Sequence, residues 1–272
     1  MSQFYTYDFV YDDIPSDAYD LKIISFEDGS PFDGVGSSNV NIITQSVLRK
    51  SKPYYLGRTQ EPVLEFQLTF GSPNPISGME RDLISAWLFG RAGYKKLQIL
   101  QDDLNGAYFN CFLTDPKPIY IGGINYAFTA TATCDSPFAY GYPKIYTSGC
   151  YTGSDPETNN FTIYNNSSED EYLYPTVEFK TKTTGSQIIL TNITDDNRQF
   201  SFGLYSGSAL SGEETILVNN DLQILESSTA LRRLNTFNKN WFRLLPGANQ
   251  VSLYGKIEWL RIVFNERKKI GG

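Results

Sequence analysis

The sequence predicts a mostly β fold of two β-sandwich domains, the first of which also contains one α-helix. Short segments in which apolar and polar residues alternate recur along the 272 residues, and a period of two is typical of strands that place one face in a core. Tyr and Phe, which number 19 and 18, favour strands. The 22 Gly and 13 Pro are spread along the chain, which favours many short strands and turns over long helices.

The chain length and one turn-rich segment predict where the two domains divide. A chain of 272 residues is long enough to bury two cores. The segment CDSPFAYGYPK at 134–144 combines two Pro with one Gly and two Tyr, which is typical of a linker. We therefore predict a first domain at 1–138 and a second at 139–272.

The first domain is predicted to be mostly strands. Residues 4–26 are expected to form two strands around a loop at 12–17, and 28–38 a turn or flexible loop. The clearest strand is 64–70, where four apolar residues alternate with polar ones. Further strands are predicted at 97–100, 107–113, 119–121 and 124–132, with a hairpin turn at 102–106.

One α-helix is predicted to follow the turn-rich link at 71–78. Ser77 is expected to be its N-cap, because Glu80 three residues later completes a capping box. Gly90 or Gly93 suits its end. The apolar stripe expected to face the core comprises Met79, Leu83, Ala86, Trp87 and Gly90, widened by Ile84 and Leu88.

The segment 39–60 is more polar and less regular than the other predicted strands. Val40, Ile42 and Val47 form only a weak apolar pattern. Its basic residues are Arg49, Lys50, Lys52 and Arg58. Because such a pair of strands would contribute little to a core, we predict an exposed arm that is held by something outside the subunit.

The second domain is predicted to consist of strands and turns alone, in a β-sandwich or jelly-roll pattern. Strands are expected at 145–146, 161–164, 177–179, 188–190, 200–204, 216–218 and 222–225. The stretch 241–269 is expected to form a strand, a tight turn at 246–249, a second strand up to Gly255 and a final strand. Its basic tip, Arg267–Lys269, is expected to be a solvated end.

Charge, cysteine content and hydropathy exclude several classes of protein. With 23 basic and 30 acidic residues the net charge is −7, which argues against a nucleic-acid-binding protein with a basic face. Cys111, Cys134 and Cys150 lack the spacing of a zinc site or a disulfide framework. Cys111 and Cys134 have strand-like surroundings, so buried free thiols are expected there. No apolar run reaches the length of a membrane span. The acidic, aromatic N-terminus is unlike a signal peptide, and we expect synthesis in a cytosol.

The sequence predicts no catalytic residue, cofactor site or metal site. It contains no His, which removes the nucleophilic triads and the common zinc motifs. Adjacent carboxylates in turns are expected to be solvated, whereas a glycosidase needs two carboxylates opposed across a cleft. These pairs are Asp12/Asp13, Asp102/Asp103, Asp195/Asp196 and Glu213/Glu214. Calcium at 169–171 is an alternative, although the spacing differs from an EF-hand loop.

The three tryptophans raise the possibility of sugar stacking. Trp87 lies on the predicted helix stripe, so a core position is expected. For Trp241 and Trp259 we expect a position in the core or at the sandwich edge. Carbohydrate contact at Trp241 or Trp259 is the alternative.

Taken in order along the chain, these segments resemble the distal tail proteins of long-tailed, non-contractile bacteriophages. The resemblance spans nearly the whole chain and rests on the order and spacing of its parts. In the first half these are FYTYDFVYDDIPSDAYDLKIISFE at 4–27 and the strand 64–70 followed by the helix 79–89. In the second half they are Tyr174-Pro175, 189–192, 219–221, Trp241, LPGAN at 245–249 and the closing strand.

The resemblance implies a structural virion protein of the tail tip that is not an enzyme. Its N-terminal domains would form a homohexameric ring that continues the tail tube, and 39–58 would be an arm that touches a neighbouring subunit. Its C-terminal domain would be galectin-like and would dock a receptor-binding or adhesion protein. Further implied partners are the tail tube protein, the tail-associated hub protein and the tape measure protein. DNA would only pass through, no membrane would be bound, and synthesis would take place in the bacterial host cytoplasm.

The charge distribution is compatible with such a ring, because a closing assembly needs two different complementary faces. Residues 1–138 carry 10 Lys and Arg against 16 Asp and Glu, and the basic cluster of 39–60 lies within them. An acidic ring lumen would let DNA slide past. The alternative function is a carbohydrate-binding module of a viral or bacterial adhesin, and a glycosidase is a third.

Overall fold

The computed structural model describes residues 4–26, 40–60, 63–104, 106–148, 157–203 and 209–269. Contacts divide the chain into two compact units, which we describe separately. The first runs to Gly141 and includes Lys268 and Lys269, and the second spans Tyr142–Arg267. The predicted loop at 28–38 and Cys150 lie outside the described residues.

The first unit is mostly strands, as predicted, and the division falls within its last one. Its strands are β1 (Phe4–Tyr7), β2 (Phe9–Tyr11), β3 (Ile14–Pro15), β4 (Lys22–Phe26), β5 (Val40–Gln45), β6 (Tyr54–Gln60), β7 (Glu65–Gly71), β8 (Lys95–Ile99), β9 (Ala107–Ile121), β10 (Ile124–Cys134) and β11 (Ala139–Ser148). Helix α1 spans Gly78–Leu88, and 3-10 turns lie at Ser16–Tyr19 and Asp102–Leu104.

The main sheet of this unit is antiparallel, with the order β1-β4-β7-β10-β9. Strand β8 pairs with both β9 and β2, and β2 also pairs with β3. On β7 the side chains of Phe66, Leu68 and Phe70 are buried and alternate with more exposed polar ones. This alternation is the pattern that predicted the strand.

The strands predicted at 107–113 and 119–121 are in fact one strand, β9, of 15 residues. The expected break was the segment Asp115–Pro118, which contains two prolines. Asp115 instead has a φ of 53°, and the β9–β10 ladder shifts register opposite it, between Thr129 and Thr131, which is a β-bulge. The pairings described for 114–121 are all with β10, so the prolines lie on an edge where no N–H is needed.

Helix α1 begins as predicted but buries only part of the predicted face. The Glu80 amide donates to Ser77 Oγ at 3.3 Å and the Ser77 amide to Glu80 Oε2 at 2.8 Å, which is the predicted capping box. Ile84, Trp87 and Leu88 are buried. The prediction was wrong for the rest of the stripe: Met79 and Leu83 are 77% and 54% exposed, and Ala86 is exposed as well.

The indole of Trp87 fixes this orientation. It stacks on Tyr19 at a centroid distance of 4.6 Å and on Phe9 at 5.7 Å, and its Nε1 donates to the Tyr11 carbonyl at 3.0 Å. Two apolar stripes overlap on this helix, and periodicity cannot choose between them. Phe9 of β2 and Tyr19 of the first 3-10 turn make that choice.

The second unit is a sandwich of two sheets, one of four strands and one in which β11 lies beside β19. Its strands are β12 (Glu157–Asn165), β13 (Thr176–Thr181), β14 (Ile188–Asn192), β15 (Arg198–Phe202), β16 (Thr215–Asn219), β17 (Ile224–Ser227), β18 (Gly247–Gly255) and β19 (Ile257–Lys268), with a 3-10 turn at Arg233–Asn235. The sheet orders are β12-β18-β14-β15 and β11-β19-β13-β16-β17. Both contribute to one core, in which Phe179 of β13 meets Phe202 of β15 at 5.4 Å.

The prediction of a first strand at the start of 241–269 is wrong. Before β18 there is only an isolated bridge between Leu244 and Leu173. The Asn249 side chain replaces a strand partner: its Oδ1 accepts from the Leu245 amide at 2.8 Å and its Nδ2 donates to the Leu245 carbonyl at 2.8 Å. The predicted turn at 246–249 therefore largely belongs to β18, which begins at Gly247.

The second predicted strand ends at Gly255 as expected, and only glycine fits there. Its φ is +155°, and a Cβ would lie 2.5 Å from the Gln187 carbonyl oxygen. The solvated basic tip is a wrong prediction for Arg267, whose side chain is mostly buried and lies 3.5 Å from the Glu171 carboxylate.

Candidate subunit interface

The segment 40–60 forms a β-hairpin, which we call the arm. Its strands β5 and β6 pair antiparallel with each other and, within the described residues, with no other strand. Every residue whose burial is described, from Asn41 to Thr59, is exposed except the half-buried Gly57. The predicted exposed pair of strands is confirmed. Its contact with a neighbouring subunit remains a prediction.

Both faces of the arm carry exposed apolar side chains. Ile42 and Thr44 lie on one face of β5, which Tyr55 shares as the cross-strand partner of Thr44. Ile43 and Gln45 lie on the other face, which Tyr54 shares as the partner of Gln45. The two Ile and the two Tyr side chains are all exposed. An isolated two-stranded hairpin is at best marginally stable in water, and contiguous exposed apolar surface is typical of interaction sites. The arm is therefore a surface that needs a partner.

The tip of the arm projects one leucine into solvent. The Lys50 amide donates to the Val47 carbonyl at 3.0 Å, which closes a β-turn, and Arg49 has a φ of 68°. Leu48 at the turn is 90% exposed. Behind it the Lys50 ammonium lies 4.9 Å from the centroid of the Tyr54 ring and donates to its hydroxyl. Sequence reasoning did not single out Leu48, although an apolar residue in a polar turn was a usable signal.

The four predicted cations all lie on the exposed arm. Arg49, Lys50 and Lys52 follow the tip, and Arg58 is on β6 opposite Ile42. Residues 40–60 contain no Asp or Glu, so the arm carries a charge of about +4 on a chain whose net charge is −7. Its chemistry therefore suits a partner surface that is both apolar and acidic.

A second apolar surface of the first unit lies beside α1. A cavity of about 160 Å³ opens there. It is lined by Ile76, Arg81, Ile84, Ser85, Phe89, Pro116, Pro118, Asn125 and Phe128. The exposed Met79 and Leu83 lie on the same helix, and the exposed Tyr120, Ile121 and Ile124 lie at the β9–β10 turn.

The two tryptophans considered for sugar contact are both half-buried in the second unit and lie on different elements. Trp241 precedes β18 and packs edge-on against Phe237 at 5.0 Å, at the margin of the core. Trp259 lies on β19 opposite Lys180. Sugar contact at either position remains a prediction.

The predicted Trp87 core position and the buried thiols of Cys111 and Cys134 are confirmed. The two cysteines are cross-strand partners on β9 and β10. A hydrogen bond with Cys134, together with burial, raises the pKa of the Cys111 thiol well above its usual value, so the thiolate is disfavoured.

Two of the carboxylates expected to be solvated are buried in ion pairs. Glu214 and Arg233 have no exposed side-chain surface, and Arg233 Nε and Nη2 lie 2.6 Å from the two carboxylate oxygens. Asp195 accepts two hydrogen bonds from Arg243 at 2.8 and 2.9 Å. Sequence reasoning missed both pairs because each arginine is far from its partner along the chain.

No feature of the described residues points to a metal centre. No group of three or more His, Cys, Asp and Glu among them has the geometry to hold an ion. Glu171, one of the residues considered for calcium, is instead close to Arg267. In the same part of the chain, no helix is long and apolar enough to span a membrane.

Comparison with known families matches both halves of the chain. The family described as phage tail protein N-terminal domain matches residues 4–136, and the family described as phage tail C-terminal domain matches residues 138–263. The chain therefore belongs to the phage tail proteins and is a structural component of the phage tail. A comparison with curated protein sequences finds no match.

Within that class, the fold is that of the distal tail proteins. The chain is similar to the crystal structure of Dit (gp 19.1) of phage SPP1, described as a paradigm of the hub adsorption apparatus in phages that infect Gram-positive bacteria, with a TM-score of 0.65 and 11% identity over 96% of this chain and 98% of that one. It is also similar to chains of the activated phage P2 baseplate. For the baseplate with Ca, the TM-score is 0.56 and the identity 11%, and the match covers 98% of both chains. For the baseplate with Sr, the TM-score is 0.54 and the identity 12%, and the match covers 96% of this chain and 97% of that one. The predicted resemblance is confirmed.

Proposed function

We propose that this chain is the hub subunit at the distal end of a phage tail, where six copies close into a ring. The ring joins the tail tube to the baseplate and its adhesion device. The observation that carries the proposal is the arm, because it exposes apolar side chains on both faces and carries four cations without an acid. Such a hairpin is explained by a neighbouring subunit that covers it.

The proposal assigns different partners to the two units. The first, the ring-forming domain, contacts the tail tube protein, the tail-associated hub protein and the tape measure protein. The second unit, a sandwich of two sheets, is the galectin-like domain that docks a receptor-binding or adhesion protein. The subunit is not an enzyme, is synthesised in the bacterial host cytoplasm, and encounters DNA only as cargo that crosses the ring.

Electron microscopy and native mass spectrometry of the purified chain test the proposal. We expect closed six-membered rings. A variant in which residues 41–59 are replaced by a short Gly-Ser linker should be monomeric, because it lacks the surface that the neighbour covers.

Thermal unfolding is the control for this deletion. Since the arm pairs with no other described strand, both compact units should unfold as in the intact chain. A chain that stays monomeric at all concentrations would overturn the ring. A glycan-array signal that is lost in Trp259→Ala would instead favour the carbohydrate-binding alternative.

A further inference from the structure

We infer that the cavity beside α1 is the receptor for the arm tip of the next copy of this chain, so that Leu48 of one subunit inserts between the helix and the β9–β10 hairpin of its neighbour. The inference rests on the proposed ring and assigns it a specific contact. Its basis is that one unit carries two different unpartnered apolar surfaces, the arm and the cavity, with complementary shape and charge.

The cavity has the size and lining for one apolar side chain. Its volume is about 160 Å³, comparable with cavities that hold a benzene-sized group. Two aromatic rings, Phe89 and Phe128, meet edge-on at 6.0 Å in its wall. Leu48, which is 90% exposed at the tip of the arm, is a side chain of the required kind.

The prolines beside the cavity exclude the other common way of binding a hairpin. A free β-hairpin can extend a sheet by pairing with an edge strand, and 114–121 of β9 is such an edge. Pro116 and Pro118 lie on this edge and have no N–H to donate. A side chain can still insert next to these prolines, because insertion needs no N–H from the edge.

Charge favours the same contact. The segments that surround the cavity carry four exposed carboxylates, on Asp20, Glu80, Asp82 and Asp115, against the two cations Arg81 and Lys117. The arm carries four cations and no carboxylate. Opposite charges of this kind accelerate association and set its register.

The contact is of the type that makes rings. The arm and the cavity are different surfaces, so each subunit uses its arm on one neighbour and offers its cavity to the other. Such a heterologous contact closes into a ring when the rotation between subunits allows it.

Photo-crosslinking tests the contact directly. A photoreactive phenylalanine analogue is placed at position 48, and rings are assembled from an equal mixture of unlabelled and ¹⁵N-labelled chains. After irradiation we expect mixed-isotope crosslinked peptides that pair the arm with residues 76–89 or 116–128. Rings whose crosslinks lie elsewhere, or only within one chain, overturn the inference but leave the proposed ring intact. A chain that forms no rings overturns both.

Two substitutions test the same contact by assembly. Leu48→Asp should raise the protein concentration at the midpoint of assembly by at least about tenfold, because a charge would enter an apolar cavity. Ser85→Phe, at a half-buried residue of the cavity lining, should raise it as well, because the added ring would occupy the space that Leu48 enters. The matched control is Leu222→Asp, at an exposed leucine of the other unit. Assembly of both test variants at the same concentration as this control would contradict the inference.

Discussion

Arg233 is the residue on which the loops of the second unit depend most. Besides the paired carboxylate of Glu214, its guanidinium donates to the Ala209 carbonyl and to Ser211 Oγ, both at 3.1 Å. Glu214 in turn accepts from Ser227 Oγ at 2.6 Å. A fully buried ion pair need not stabilise a fold relative to an apolar replacement, but removal of one partner leaves an uncompensated buried charge.

We therefore expect Arg233→Met to lower the free energy of unfolding by about 3–5 kcal/mol. Urea denaturation followed by circular dichroism measures the change. Arg232→Met is the matched control, because Arg232 is adjacent and exposed, and should change stability by less than about 0.5 kcal/mol. Equal effects of the two substitutions would show that the buried pair is not important for stability.

Glu214 should also make the stability depend on pH. Burial by itself would raise the pKa of this carboxyl, but hydrogen bonds from Arg233, Ser227 and the Ser211 amide lower the pKa below its usual value of 4.5. The folded state therefore binds the proton less readily than the unfolded chain does. The stabilisation is complete above pH 4.5 and is lost as the pH falls through the lowered value.

Accordingly, the stability difference between the wild type and Glu214→Gln should be largest near neutral pH and should shrink below about pH 4.5. Urea unfolding at a series of pH values measures it. Glu213→Gln, at the exposed neighbouring carboxylate, should show a small difference at every pH. A stability difference between the wild type and Glu214→Gln that stays constant at acidic pH would contradict this assignment.

At the scale of elements, helix α1 offers a direct comparison of two leucines. Leu88 is 1% exposed and lies in the core, whereas Leu83 is largely solvent-exposed. Leu88→Ala should cost about 2–5 kcal/mol of unfolding free energy through lost burial and a cavity. Leu83→Ala should cost less than about 0.5 kcal/mol. Thermal and urea unfolding of both variants would distinguish them, and an equally large loss in both would support the full stripe predicted from the sequence.

Elements were predictable from the sequence where local physics determines them. The capping box of Ser77 and Glu80 is a local interaction, and the alternation on β7 requires only a core on one side. The helix face was not predictable, because Trp87 is oriented by Phe9 of β2 and Tyr19 of the first 3-10 turn. The single strand β9 was missed for a related reason, since prolines are tolerated only on an unpaired edge, and edges are a property of the whole sheet.

At the scale of the whole molecule, the class of protein was accessible from the sequence and the candidate interface only in part. The weak apolar pattern of 39–60 and its four cations indicated an arm without a core of its own. The cavity beside α1 could not be predicted, because its wall combines the helix with Pro118 of β9 and Phe128 of β10, which are far apart in the sequence. A surface formed by segments that are distant in the sequence can be recognised only once the fold is known.

The exposed arm has a consequence for the order of events in the life of the subunit. Strands β5 and β6 make no strand pairing outside the arm among the described residues, so the two cores can fold before it acquires a fixed partner. In the proposed ring, the last step of folding is then bimolecular, with a rate set by subunit concentration. Until that step, the hairpin has unpaired edges and exposed apolar side chains, which favour aggregation. Selection should therefore act on how fast a new subunit finds a growing tail, as well as on how tightly it binds there.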